Sequence, residues 1–163
     1  MWGVNMILKF NLKRFLISIA IPLAVGGFSA LITKGDMDLY SRIVRPPLSP
    51  PSILFPIVWS ILYILMGISL YLVWNNSNSY SDKTSAFVLF AVQLFLNFIW
   101  SPIFFSAQQY LIAFIILVLL WITVLLMIIS FYRISKVAGL IQIPYLIWLT
   151  FAGYLNFAIM ILN

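Results

Sequence analysis

Three stretches of this chain carry no charged residue: Pro46 to Ser81, Thr84 to Tyr132 and Val137 to Asn163. A surface folded in water does not go so long without charge. Roughly 25% of residues in a soluble domain are charged, against 7% here, with 64% hydrophobic. A helix crossing a bilayer needs about 20 apolar residues. The first run has room for one crossing after a loop, the second for two and the third for one; the apolar N-terminal stretch adds another. Lipid offers the backbone no hydrogen-bond partners, so only helices or closed barrels cross it, and long apolar runs without two-residue alternation are not barrel strands. The expected fold is all-α and integral to the membrane. It is a single five-helix transmembrane domain over residues 1–163, with helices at about 15–33, 53–74, 84–107, 111–131 and 139–162.

Residue types narrow the chemistry. There is no cysteine and no histidine, which removes disulfides, thiol nucleophiles, zinc sites and the usual haem ligands. No metal site is expected. The three carboxylates, Asp36, Asp38 and Asp82, fall in predicted loops, which argues against paired-carboxylate hydrolysis and intramembrane proton relays. The net charge of +6 is carried by residues that flank spans, so it reads as membrane topology rather than nucleic-acid binding. One side holds Lys9, Lys13, Arg14, Lys83, Arg133 and Lys136; the other holds Lys34, Arg42 and Arg45. Six against three predicts a cytoplasmic N-terminus and an outside C-terminus, in what we expect is a bacterial cell membrane. The first span also has a basic start, an apolar core and small residues at Ala24–Gly27, features shared with signal peptides. Cleavage there would leave four spans.

The loop after the first span reads KGDMDLYSRIVRPPLSPP, Lys34 to Pro51. Four prolines make its second half stiff and extended. It is too polar to enter lipid, so it is expected to lie over one end of the bundle as a lid. The third and fourth spans are separated only by a few residues around Gln108 and Gln109, which predicts a tight antiparallel hairpin.

Helical spacing sorts the side chains into faces. Phe55, Trp59, Tyr63, Met66, Leu70 and Trp74 share a stripe on the second span. Gln93, Asn97, Trp100, Ser101 and Phe104 share one on the third, and Tyr145, Trp148, Ala152 and Asn156 one on the fifth. Polar groups facing lipid are costly, so these faces should look inward. Counting from the span ends puts Trp59 and Trp100 near the lid and Trp148 toward the floor. Such walls suit a flat aromatic ligand through stacking, with the indole N–H groups and Asn97 orienting it; helix–helix packing would use the same residue types. Ala20, Ala24 and Gly27 give the first span a small-residue stripe suited to close packing.

Four motifs in order, LYSRIVRPPLSPP, FPIVWSILYILMGISLYLVW, QLFLNFIWSPIFFSAQQ and IPYLIWLTFAGYLN, make the chain resemble the TspO/MBR family of translocator proteins (peripheral-type benzodiazepine receptors) and bacterial tryptophan-rich sensory proteins. The resemblance runs from about Tyr40 to Asn163. It implies a five-helix bundle, commonly dimeric, with a pocket under the first loop for porphyrins such as protoporphyrin IX and for isoquinoline carboxamide and benzodiazepine compounds. Carried over by motif, the pocket would use Tyr40, Pro51, Trp59, Asn97, Trp100, Ser101, Phe104, Trp148 and Ala152, with Phe55 and Tyr63 on the same stripe as Trp59. It also implies, as an alternative, light- and oxygen-dependent breakdown of protoporphyrin attributed to the tryptophans matching Trp59 and Trp148. The chain departs from the family pattern at Leu39, where a tryptophan often precedes the tyrosine, and at Arg45, where lysine is common. Nothing basic or tyrosyl follows Asn156, so the cholesterol motif of animal members is absent; Leu126, Tyr132 and Lys136 match that pattern only formally.

The leading expectation is thus a membrane receptor or sensor. It would bind a tetrapyrrole or hydrophobic aromatic small molecule, with Arg42 and Arg45 pairing to porphyrin carboxylates. No cofactor is required, the bilayer is the obligate environment, a homodimer is expected, and no nucleic acid. Transport of porphyrin or sterol ranks third: no charge lies within a span, and no inverted repeat or pair of broken helices is evident.

Overall fold

The computed structural model describes residues 10–35, 42–76 and 80–163, the first three of the last stretch by backbone alone. The long helices are α1 (Leu12–Thr33), α2 (Leu54–Asn75), α3 (Tyr80–Phe105) and α4 (Tyr110–Ile134); a short α5 (Lys136–Leu140) leads into α6 (Ile143–Leu162). Among the described residues five segments are long and apolar enough to cross a membrane, the last being α5 and α6 together over Lys136–Leu162. The protein is an all-helical integral membrane bundle. Around it, α1 packs on α2 and α3, α3 on α4, and α4 on α6. The backbones of α2 and α6 stay farther apart, and aromatic side chains bridge them: Trp59 meets Tyr145 edge-on at 6.1 Å and Phe55 meets Trp148 at 6.0 Å.

The helix ends follow local chemistry. Asn11 caps α1, its side chain accepting from the Arg14 N–H at 3.0 Å. After Pro102 the third helix lasts barely another turn. Gln108 takes a left-handed conformation (φ 54°) and the Gln109 N–H returns to the Ile103 carbonyl at 3.1 Å, a Schellman-type stop. That makes the tight hairpin into α4.

The break between α4 and α6 leaves carbonyls without helical partners, and α2 supplies them. Asn76 Nδ2 donates to Ile134 O at 3.0 Å and Ser69 Oγ to Ala138 O at 2.6 Å; in return Gln142 Nε2 donates to Leu65 O at 3.0 Å. Unsatisfied backbone at this depth would cost several kcal/mol per group, so these bonds make a broken fifth span tolerable.

The small-residue stripe on the first span behaves differently from expectation. Ala20, Ala24 and Gly27 are exposed, and a methyl added at Gly27 would meet nothing within 4 Å. The buried face of α1 is instead Ser18, Pro22, Ser29 and Thr33. Hydroxyls and a proline turn inward because lipid is the worse solvent for them, and this rotates the alanines outward. The close contacts lie at Gly26, where a Cβ would stand 2.2 Å from the Tyr63 ring, and at Gly67, where it would stand 2.7 Å from Ile19 Cα.

Candidate functional site

The site is a cavity at the end of the bundle where α1 and α3 finish and α2 begins. Its walls are Gly26, Ser29, Ala30 and Thr33 of α1, Phe55, Pro56, Trp59 and Tyr63 of α2, and Asn97, Trp100, Ser101 and Phe105 of α3. Its volume is about 130 Å³. Sites for drug-sized ligands run to roughly 300–1,000 Å³, so in this conformation the cavity holds only a small group.

Beneath it lies a polar network inside the hydrocarbon depth. Tyr63 Oη donates to Asn97 Oδ1 at 2.7 Å, Asn97 Nδ2 donates to Tyr145 Oη at 3.1 Å, and Tyr145 Oη donates to Gln93 Oε1 at 3.0 Å. Gln93 and Tyr145 have no exposed surface and Asn97 only 4%. The amides of α3 therefore sit mid-span because α2 and α6 present phenols to them. Trp59 stacks on Tyr63 at 5.6 Å, so the floor of the cavity and this network share one rigid unit.

Trp100 is fixed in a second way. Its indole N–H donates to Asn156 Oδ1 at 3.1 Å, and Asn156 Nδ2 donates to Tyr110 O at 3.0 Å. The Trp100 N–H is thus engaged within the protein, where the sequence had suggested it would be free to orient a ligand. Phe104 is buried and stacks on Trp100 at 5.2 Å, against Tyr110 at 5.3 Å. It supports the wall; its neighbour Phe105 lines the cavity.

Of the residues expected at the site, Phe55, Trp59, Tyr63, Asn97, Trp100 and Ser101 are brought together around the cavity. Ala152 is buried in the core, and Pro51, Arg42 and Arg45 are exposed on the loop, outside the cavity wall. Tyr40 lies outside the described residues. Trp148 is not at the floor. It stands beside Phe55, near the lid, because the fifth span begins at Lys136 rather than Gly139 and breaks before α6, whose first residues already sit level with Leu65. Its indole nitrogen is buried with no hydrogen-bond partner among the described residues, although buried donors are nearly always paired.

Residues of α1 were not expected at the site. Ser18, Pro22, Gly26, Ser29 and Thr33 recur at three- and four-residue spacing in an otherwise apolar helix, and that hydroxyl stripe was the available signal.

The loop is tied over α6. Asn163 pairs with the Val44 backbone in both directions, accepting from its N–H at 2.9 Å and donating to its carbonyl at 3.1 Å. Tyr154 Oη donates to Pro47 O at 2.9 Å. Pro46 to Ser49 make a turn closed by Ser49 N–H to Pro46 O at 3.3 Å, with Leu48 at φ 66°. Pro47 suits the first central position of a type II turn, and a positive φ is required at the second.

The sequence model of the TspO/MBR family matches residues 18–162. The chain is 43% identical over 146 residues to tryptophan-rich protein TspO of Chlorobaculum tepidum, covering 89% of this chain and 92% of the relative. It is 38% identical to tryptophan-rich protein TspO of Archaeoglobus fulgidus, covering 94% and 99%. To the translocator protein of Bos taurus it is 33% identical, covering 82% and 81%.

Proposed function

The chain belongs to the TspO/MBR family, and from that premise we propose that it is a membrane receptor or sensor that binds a flat aromatic ligand, of which protoporphyrin IX is the leading candidate. The observation that carries the reading is the aromatic wall at the lid: Trp59 and Trp100 line one cavity, and Trp148 waits behind Phe55 with an indole N–H that no described residue satisfies. Stacking walls plus a few polar groups are what a planar ligand needs.

Size sets the mechanism. A cavity of about 130 Å³ cannot enclose a tetrapyrrole. On this reading the loop lifts and Phe55, which stands between the cavity and Trp148, swings aside to widen the site. Arg42 and Arg45, exposed on that loop, would then meet the propionates of the porphyrin. Replacing both with Gln should weaken porphyrin by roughly tenfold or more while a neutral isoquinoline ligand changes little; equal loss for both ligands would reject the pairing.

A second reading is favoured by one contact. Trp59 lines the cavity and stacks on Tyr63, which hydrogen-bonds into the Asn97–Tyr145 network. Such a row of oxidisable rings suits light- and oxygen-dependent porphyrin breakdown, with the tryptophans as electron donors. Light-driven loss of the porphyrin band that persists unchanged in Trp59→Phe/Trp148→Phe would end this reading.

We also propose that the N-terminus is cytoplasmic, which puts the cavity mouth outside. The chain has no native cysteine, so one placed at exposed Leu48 should react with an impermeant thiol reagent in intact cells; labelling only after lysis would reverse the topology.

A further inference from the structure

Away from the cavity, a long groove runs down the outside of the bundle between α1 and α3. Its trough is apolar, lined by Val25 and Phe28 of α1, Leu70 of α2, and Phe90, Leu94 and Phe98 of α3, with a volume of about 620 Å³. At the end opposite the lid it continues into a second hollow of about 570 Å³, which shares Phe87 and Ala91 with the trough and adds Arg14, Trp74, Asn76 and Lys83. The two are one channel with a cationic mouth.

The mouth is built. The Arg14 guanidinium lies 5.7 Å from the centre of the Trp74 ring, a cation–π contact that holds it over the hollow. The Lys83 ammonium donates to the Asn76 carbonyl, which fixes the amine while leaving two of its three protons for another acceptor. Both cations sit in the first turns of their helices, at the depth of lipid headgroups. From Lys83 to Phe98 the helix rises about 22 Å at 1.5 Å per residue. One leaflet contributes about half of a hydrocarbon core roughly 30 Å thick, so the trough accommodates an acyl chain over its whole depth in that leaflet.

We propose that this groove is a binding site for an anionic phospholipid, with the headgroup phosphate between Arg14 and Lys83 and one acyl chain lying along the α1–α3 trough. The charge at the mouth selects this occupant. A second copy of the chain docked with parallel symmetry would bring the same two cations face to face, and a zwitterionic lipid would set its own ammonium beside them, leaving their charge only partly balanced. The site is independent of the aromatic cavity, which opens at the other end of the bundle.

The test is native mass spectrometry of the full chain released from nanodiscs of equal phosphatidylglycerol and phosphatidylcholine. The wild type should retain one phosphatidylglycerol per chain, at least fivefold over phosphatidylcholine, since each basic group near a headgroup is worth roughly a fivefold change in binding. Arg14→Gln/Lys83→Gln should abolish that preference, and Ala91→Phe, which fills the waist without changing charge, should reduce retention of both lipids. Arg133→Gln/Lys136→Gln, on the same side of the membrane but outside the groove, should retain the wild-type preference. Thermal melts of each variant in detergent read folding separately. Equal retention of the two lipids by the wild type, equal loss in the Arg133/Lys136 control, or a lipid-free dimer that Ala91→Phe disrupts would each overturn the proposal.

Discussion

Gly26 and Gly27 are adjacent and chemically identical, yet the structure gives them opposite roles. A Cβ at Gly26 would sit 2.2 Å from Tyr63, whereas one at Gly27 would touch nothing within 4 Å. Gly26→Ala should therefore displace the Tyr63 ring and destabilise the bundle by about 1–3 kcal/mol. Gly27→Ala should be neutral or stabilising by up to about 1 kcal/mol through helix propensity. Unfolding midpoints in detergent check the pair, and similar values for both would contradict the packing described. Tyr145 is the second test at this scale. Its hydroxyl accepts from Asn97 and donates to Gln93, both buried. Tyr145→Phe leaves two amides short of partners and should cost about 1–2 kcal/mol; a loss within error would mean the network rearranges freely. The amides of α3 were legible in the sequence as inward-facing groups. Their phenolic partners were not, because pairing across helices depends on relative depth, and depth on the fifth span shifted once it began at Lys136.

At the scale of elements, the loop is the gate of the site on the reading proposed above. The loop is held to α6 by the Asn163–Val44 pair and by Tyr154 to Pro47. Asn163→Ala/Tyr154→Phe removes those three side-chain bonds, at about 1 kcal/mol each, and should raise the population of the open form by roughly a hundredfold. Stopped-flow quenching by an aromatic ligand should then show faster association with little change in protein stability; an unchanged association rate would mean that the loop does not gate entry. The prolines of this loop could be read in advance as a stiff cover. Its tether could not, since it depends on two side chains on the α6 side reaching backbone atoms 119 and 107 positions away in sequence. The buried face of α1 likewise differs from the small-residue stripe: Ser18, Ser29 and Thr33 turn inward, joined along one face by Pro22 and Gly26 at three- and four-residue spacing.

For the whole molecule, the uncharged runs and the basic flanks were enough to derive a five-span bundle, and the motif order was enough to place it in its family. What folding added is a cavity of about 130 Å³, too small for a tetrapyrrole, and a nearby tryptophan whose N–H has no partner among the described residues. On the receptor reading proposed above, both belong to the form without ligand, and the site widens on binding. The most direct test is tryptophan-fluorescence titration of the purified protein with protoporphyrin IX in the dark, beside the cavity-filling variant Ala30→Phe. The account predicts saturable quenching near one porphyrin per chain, lost or weakened at least tenfold in Ala30→Phe. Quenching that does not saturate, or that is the same in both proteins, would place the porphyrin in the lipid or detergent and contradict the aromatic cavity as its site.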